Sequence, residues 1–173
     1  MESGQDWKIA ALTFYIYVHL FYRCIIMNDQ YYMKIALKEA KKAFDKGEIP
    51  IGAIVVKNNK IIARAHNLKE SKHSVTKHAE IIALEKACKR LNNWRLIGCS
   101  IYVTMFPCPM CASAINQSRI SKIIYGTIPE YAEKNVISCI LNDKNYGSPV
   151  EIVGNIMESD CAQLLKDFFV KKR

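Results

Sequence analysis

The apolar positions of this chain change period several times, and each change marks an element. Met33, Leu37, Ala40 and Phe44 recur at i, i+4, i+7 and i+11, which makes one face of a helix. Asn28 or Asp29 precedes that run as a cap for a free backbone N–H, and Gly47 follows as its stop. The spacing predicts a helix beginning near residue 28. Residues 49–57 (IPIGAIVVK) then read as a buried strand, Asn58-Asn59 as a tight turn and residues 60–65 (KIIARA) as the returning strand. Two short β-rich runs around such a turn predict a hairpin. Residues 66–77 form a polar loop.

Helical spacing returns over residues 79–91, with Ile82, Leu84, Ala87 and Cys88 apolar. Residues 100–105 (SIYVTM) predict a central strand, 109–117 a short helix, 122–125 (KIIY) a strand and 150–153 the last strand. Between residue 125 and that strand a further helix stays open. The chain ends in a helix whose stripe is Cys161, Leu164, Leu165, Phe168 and Phe169, with Lys166, Lys171, Lys172 and Arg173 off it. Trp94 and Tyr102 read as core. Helices recur between strands, so the expected class is α/β, a mixed sheet covered by helices on both faces.

Residues 1–27 stand apart. Residues 9–26 (IAALTFYIYVHLFYRCII) are apolar over about the length that spans a bilayer, yet they hold His19 and Arg23, which are costly inside lipid. Three readings compete: a membrane-associated helix, an extra helix packed on the domain, or translated upstream sequence. The last is preferred, with translation beginning at Met27. The domain proper is then 28–173. At 173 residues the chain is long enough for one core without disulfides. Seven cysteines and no clear secretory cleavage site fit a reducing, cytoplasmic setting. Cys24, Cys88, Cys99, Cys139 and Cys161 read as small packed apolar groups. A net charge of +9 favours an anionic partner, for which nucleic acid competes with a merely lysine-rich surface.

Two segments carry candidate chemistry, Lys77-His78-Ala79-Glu80 and Pro107-Cys108-Pro109-Met110-Cys111, each at a helix start. Pro109 suits the first helical position. Cys108 is then the cap residue and Cys111 lies three residues on, so both sulfurs meet at the positive helix end, which favours thiolate. His78 supplies a third ligand of the type zinc accepts, and three protein ligands leave the open position of a catalytic site. Glu80 stands two residues from His78, and in a first turn both reach the same metal. Taken singly, the cysteine pair reads as a redox pair or packed sulfur, His78 as a core histidine and Glu80 as a solvated helix residue. Together they form His-x-Glu…Pro-Cys-x-x-Cys, the signature of zinc-dependent base deaminases.

The stretches MKIALKEAKKAFDKGEIPIGAIVVKNNKIIARAHN, HAEIIALEKACKRLNNWRLIGCSIYVT and PCPMCASAINQSRISKIIYG resemble the bacterial tRNA-specific adenosine deaminases of the cytidine deaminase-like superfamily. The resemblance implies a three-layer α/β/α domain with a five-stranded mixed sheet, usually a homodimer. It implies one zinc ion on His78, Cys108 and Cys111, Glu80 as proton shuttle, and Asn67 as a contact to the target base. Without the resemblance Asn67 is a plain loop residue. The implied reaction turns adenosine into inosine at the wobble position of a tRNA anticodon. The chain departs from the family at Phe106, where Glu is common, at Lys77, where a small residue is common, and in the loop TIPEYAEKNVIS after Gly126. That loop helps to frame nucleic acid, so deamination of a free nucleobase or nucleoside is the competing activity. A non-catalytic zinc-stabilised RNA-binding subunit is a third reading, which Glu80 opposes because folding needs no proton shuttle. His66 and His73 read as solvated loop residues within reach of a substrate.

Overall fold

The computed structural model describes the backbone of residues 6–130 and 132–172; in the first helix it describes the side chains of Ala11, Phe14 and residues from 28 onward. In chain order the elements are α1 (Asp6–Asp45), β1 (Gly52–Lys57), β2 (Lys60–His66), α2 (Ala79–Leu91), β3 (Cys99–Met105), α3 (Pro109–Gln117), β4 (Lys122–Thr127), α4 (Lys134–Leu141), β5 (Glu151–Val153) and α5 (Glu158–Lys171). The strands form one sheet in the order β2-β1-β3-β4-β5. β1 runs antiparallel to β2 and β3, while β4 and β5 continue parallel to β3. The five-stranded mixed sheet is the one expected.

Alternation along the strands decides the two layers of helix. Val55, Ile101, Val103 and Ile123 face one side, where they meet Ile82 and Ala83 of α2, Ala112 and Ile115 of α3 and Ile137 of α4. Ile54, Val56, Tyr102 and Ile124 face the other, against Tyr32, Met33 and Ala36 of α1 and Cys161 of α5. The β1–β2 turn places Asn58 and Asn59 at φ 48° and 58°. Two successive left-handed residues match the right-handed twist of a hairpin, and asparagine tolerates that region.

α1 does not start at residue 28: it runs unbroken through that position. Asp29 is buried and accepts a 2.6 Å hydrogen bond from the Tyr102 hydroxyl. The carboxylate read as a cap instead ties the helix to the central strand. Gly52 lets α1 lie directly on β1, because a Cβ there would collide with the backbone of Ala36 and Ala40. Other side chains of residues 1–27, Cys24 among them, lie outside the described residues, and the readings of that segment turn on them. Among the described residues no helix is long and apolar enough to cross a membrane.

Some local expectations fail. Trp94 is 52% exposed, with the Arg95 guanidinium 4.1 Å over its ring, so it is no core residue. Its neighbours Asn92 and Asn93 lead out of α2 into a turn, which carries the indole onto the surface. Tyr102 is core, as expected. Cys99 and Cys161 are buried, Cys88 is half-buried and Cys139 is exposed. The open segment after β4 contains α4. β1 begins at Gly52 rather than at Ile49.

Candidate metal centre and active site

The two candidate segments converge because their helices begin side by side under one end of the sheet. His78 is the residue before α2, extended at φ −75° and ψ 151°. Cys108 caps α3 at φ −75° and ψ 168°, with Pro109 in the first turn. The extended caps turn both side chains beyond the helix ends, and Cys111 follows in the first turn of α3. His78 Nδ1 lies 3.8 Å from Cys108 Sγ and 3.5 Å from Cys111 Sγ. All three donor atoms fall within 4.8 Å of one another. Zinc bonds of about 2.3 Å to sulfur and about 2.0 Å to nitrogen at a tetrahedral angle put N and S roughly 3.6 Å apart. The donor set therefore fits one zinc ion in chemistry and in spacing.

Donation from the Cys111 thiol, then His78, holds Cys108 down to about 4, against the opposing effect of burial. The same bond and burial push Cys111 up. The Cys108 sulfur in turn raises His78. Glu80 is 3% exposed, and burial, reinforced by the Cys108 charge, pushes its carboxyl up to about 7.

The cluster opens into a cavity of about 980 Å³, bounded by residues before β1, after β2 and after β4, and by α5. His78, Glu80, Cys108 and Asn67 all line it. Asn67 is buried, its backbone N–H donating to Ile51 O at 3.0 Å. Among the described residues, neither Glu80 Oε2 nor Asn67 Oδ1 has a hydrogen-bond partner. A buried acceptor without a partner costs about 1–3 kcal/mol, so two of them in one cavity mark a place for a polar ligand.

The five residues proposed from sequence thus meet in one site, with Asn67 brought in from the end of β2. The histidines of the loop do not join them. His66 ends β2 and turns toward α1, with Nδ1 3.4 Å from Glu39 Oε2 and Nε2 3.1 Å from Lys46 Nζ. His73 is exposed in a left-handed turn. Two contributions were not foreseen. Leu165, Lys166, Phe169 and Val170 of α5 close the cavity, although the helical stripe placed only Leu165 and Phe169 among packed residues. Glu48, fully buried, accepts N–H bonds from Ser71 at 2.7 Å and Glu70 at 3.1 Å, and so fixes the loop joining Asn67 to His78. A lone carboxylate beside a helix stop gives no sequence signal of that role. Phe106 is buried edge-on against Tyr125, with ring centroids 4.7 Å apart, and it too touches the cavity.

The family model for the cytidine and deoxycytidylate deaminase zinc-binding region matches residues 26–127. The chain belongs to this deaminase family. It is 44% identical over 147 residues to the tRNA-specific adenosine deaminase of Bacillus subtilis (strain 168), covering 84% of this chain and 91% of that protein. A solved structure from work on A-to-I editing by tRNA:A34 deaminases superposes with a TM-score of 0.73 at 35% identity, over 78% of this chain and 99% of that one. The guanine deaminase structure from Bacillus subtilis superposes with a TM-score of 0.53 at 37% identity, over 56% and 62%. This deaminase is a hydrolase acting on C–N bonds with a zinc-binding domain, and His78, Cys108 and Cys111 are a group able to hold the ion.

Proposed function

We propose that this deaminase converts adenosine to inosine at the wobble position of a tRNA anticodon. The observation that carries the reading is the pairing of the two unpartnered acceptors, Glu80 Oε2 and Asn67 Oδ1, in one cavity beside the His78–Cys108–Cys111 cluster. Zinc on those three residues supplies Lewis-acid activation of water near neutral pH. Glu80 accepts one proton from the attacking water and delivers it to the ring nitrogen, then carries the second, from the oxygen newly bonded to C6, to the leaving amine. Water and adenosine thereby give inosine and ammonia. Asn67 presents its amide to the base edge and orients it. Leu165 and Phe169 exclude bulk water once a base enters. The base must leave its stack to reach the buried Glu80 across this cavity, which an anticodon loop permits more readily than a duplex.

RNA as substrate is supported by the net charge of +9 and by Lys69 and Lys166 at the cavity. Residues 28–173 are the catalytic domain in this reading and residues 1–27 an extension of it. The described cysteines are free, in keeping with a cytoplasmic enzyme. A homodimer fits the apolar groove of α2 and α3, where Ile81 and Leu84 lie beside the exposed Trp94 and Tyr146. A second reading, deamination of a free base, draws on the likeness to guanine deaminase and on the departing loop after Gly126. Mass analysis separates the two after incubation with tRNAs, guanine, adenosine and cytidine. Inosine formed in tRNA is the expected product. Ammonia from a free base with no inosine in tRNA would overturn the reading.

A further inference from the structure

The side of α5 turned away from the cavity borders a second groove. It lies between α1 and α5, has a volume of about 490 Å³, and is lined by Lys34, Lys38 and Lys41 of α1 over Ile35 and Leu37, with Leu164 of α5 opposite. Lys34, Lys38 and Lys41 are spaced i, i+4 and i+7, so they form one row on α1, rising about 6 Å and then about 4.5 Å along the axis. Among the described residues none of the three forms an ion pair. The nearby Glu39 is taken by Lys42 at 2.7 Å and by His66. Asp160 is the carboxylate that lines the groove, and Asp45 extends the lysine row by one turn. Lys171 lies on the same face of α5 as Asp160 and Leu164, with its ammonium 5.5 Å from the Phe44 ring of α1. Three ammonium groups thus line the shallow groove, and that of Lys171 lies beside Phe44 of the same helix α1.

We propose that this groove seats the phosphate backbone of the tRNA outside its anticodon loop, in a reading that rests on the proposed tRNA substrate. Lysines in a row on one helix neutralise successive phosphates, and they contribute affinity without reading sequence. The position favours RNA over an anionic bilayer. The same helix α5 presents Lys166 to the deaminase cavity and Leu164 to the groove. An RNA whose loop enters the cavity therefore has its adjoining strand within reach of the other flank of α5.

The test compares the full-length protein with K34E/K38E/K41E, and also with K34Q/K38Q/K41Q in case charge reversal disturbs the fold. Binding is measured to whole tRNA, to a minimal hairpin holding only the anticodon loop, and to phosphatidylserine vesicles. The reversed variant should bind tRNA tenfold or more weakly at about 0.1 M salt. Its log–log salt slope should fall by roughly 2 to 3, the counterion release of three phosphates. The glutamine variant should lose affinity in the same direction with unchanged melting temperature and zinc content. The hairpin should lose far less than tRNA. Unchanged tRNA affinity, an equal loss on both RNAs, or a loss confined to the vesicles would overturn the proposal. Lysine-dependent tRNA binding by a wild-type protein that makes no inosine would instead refute the tRNA-editing reading and leave the groove standing.

Discussion

Glu80 and Glu48 are both buried carboxylates, and their surroundings give them opposite tasks. Burial holds the Glu80 proton with a pKa of about 7, and one oxygen has no partner among the described residues, so the group can both take and give a proton near neutrality. Glu80→Gln keeps the shape and removes the exchange. It should lower kcat by roughly 10²–10⁴-fold while the bound zinc, measured by atomic absorption, stays at one per chain. Zinc lost together with activity would make Glu80 a structural residue. At Glu48, burial works to raise the pKa, but the N–H groups of Ser71 and Glu70 outweigh it and hold the carboxyl below its usual 4.5. A depressed folded pKa means that this stabilisation is full above the unfolded value and is lost as pH falls through the folded one. Thermal melts from pH 7 downward should therefore show a shallower acid decline for Glu48→Gln than for the wild type. Parallel curves would show that the two N–H bonds do not favour the ionised form.

Helix starts govern this site, and they were unevenly legible in the sequence. The bounds of α2 and α3 coincide with those read from periodicity, because His78, Cys108 and Pro109 carry local signals that no distant contact contradicts. The start of α1 was misread because Asn28 and Asp29 offer a good local cap, while the decisive bond to Tyr102 spans 73 positions. Glu48 and the cavity face of α5 stayed hidden for the same reason: their partners are fixed by tertiary packing. Gly52 belongs with them, as a small residue in a strand whose purpose appears only when α1 lies across it. Gly52→Ala should force α1 off the sheet against the backbone of Ala36 and Ala40, with a loss of about 1–3 kcal/mol. Urea unfolding would measure it. A variant as stable as wild type would mean that α1 shifts without resistance.

One chain brings His78, Glu80, Asn67 and Cys108 to a single cavity, with Cys111 buried in the same donor cluster, so the proposed chemistry does not wait on a second subunit for these groups. The surface gives a reason for association all the same. Trp94 and Tyr146 expose 52% and 65% of their area beside the apolar groove of α2 and α3. Trp and Tyr are enriched among the few hot-spot residues of protein interfaces, whose truncation costs about 2 kcal/mol or more, about thirtyfold in affinity. Because the His78–Cys108–Cys111 cluster sits at the starts of α2 and α3, a partner packed on these helices would stiffen both helix starts. Trp94→Glu combined with Tyr146→Glu should shift sedimentation from dimer to monomer at micromolar protein, with zinc retained and a lowered melting temperature. A protein that sediments as a monomer before the substitutions, or as a dimer after them, would place the interface elsewhere or nowhere.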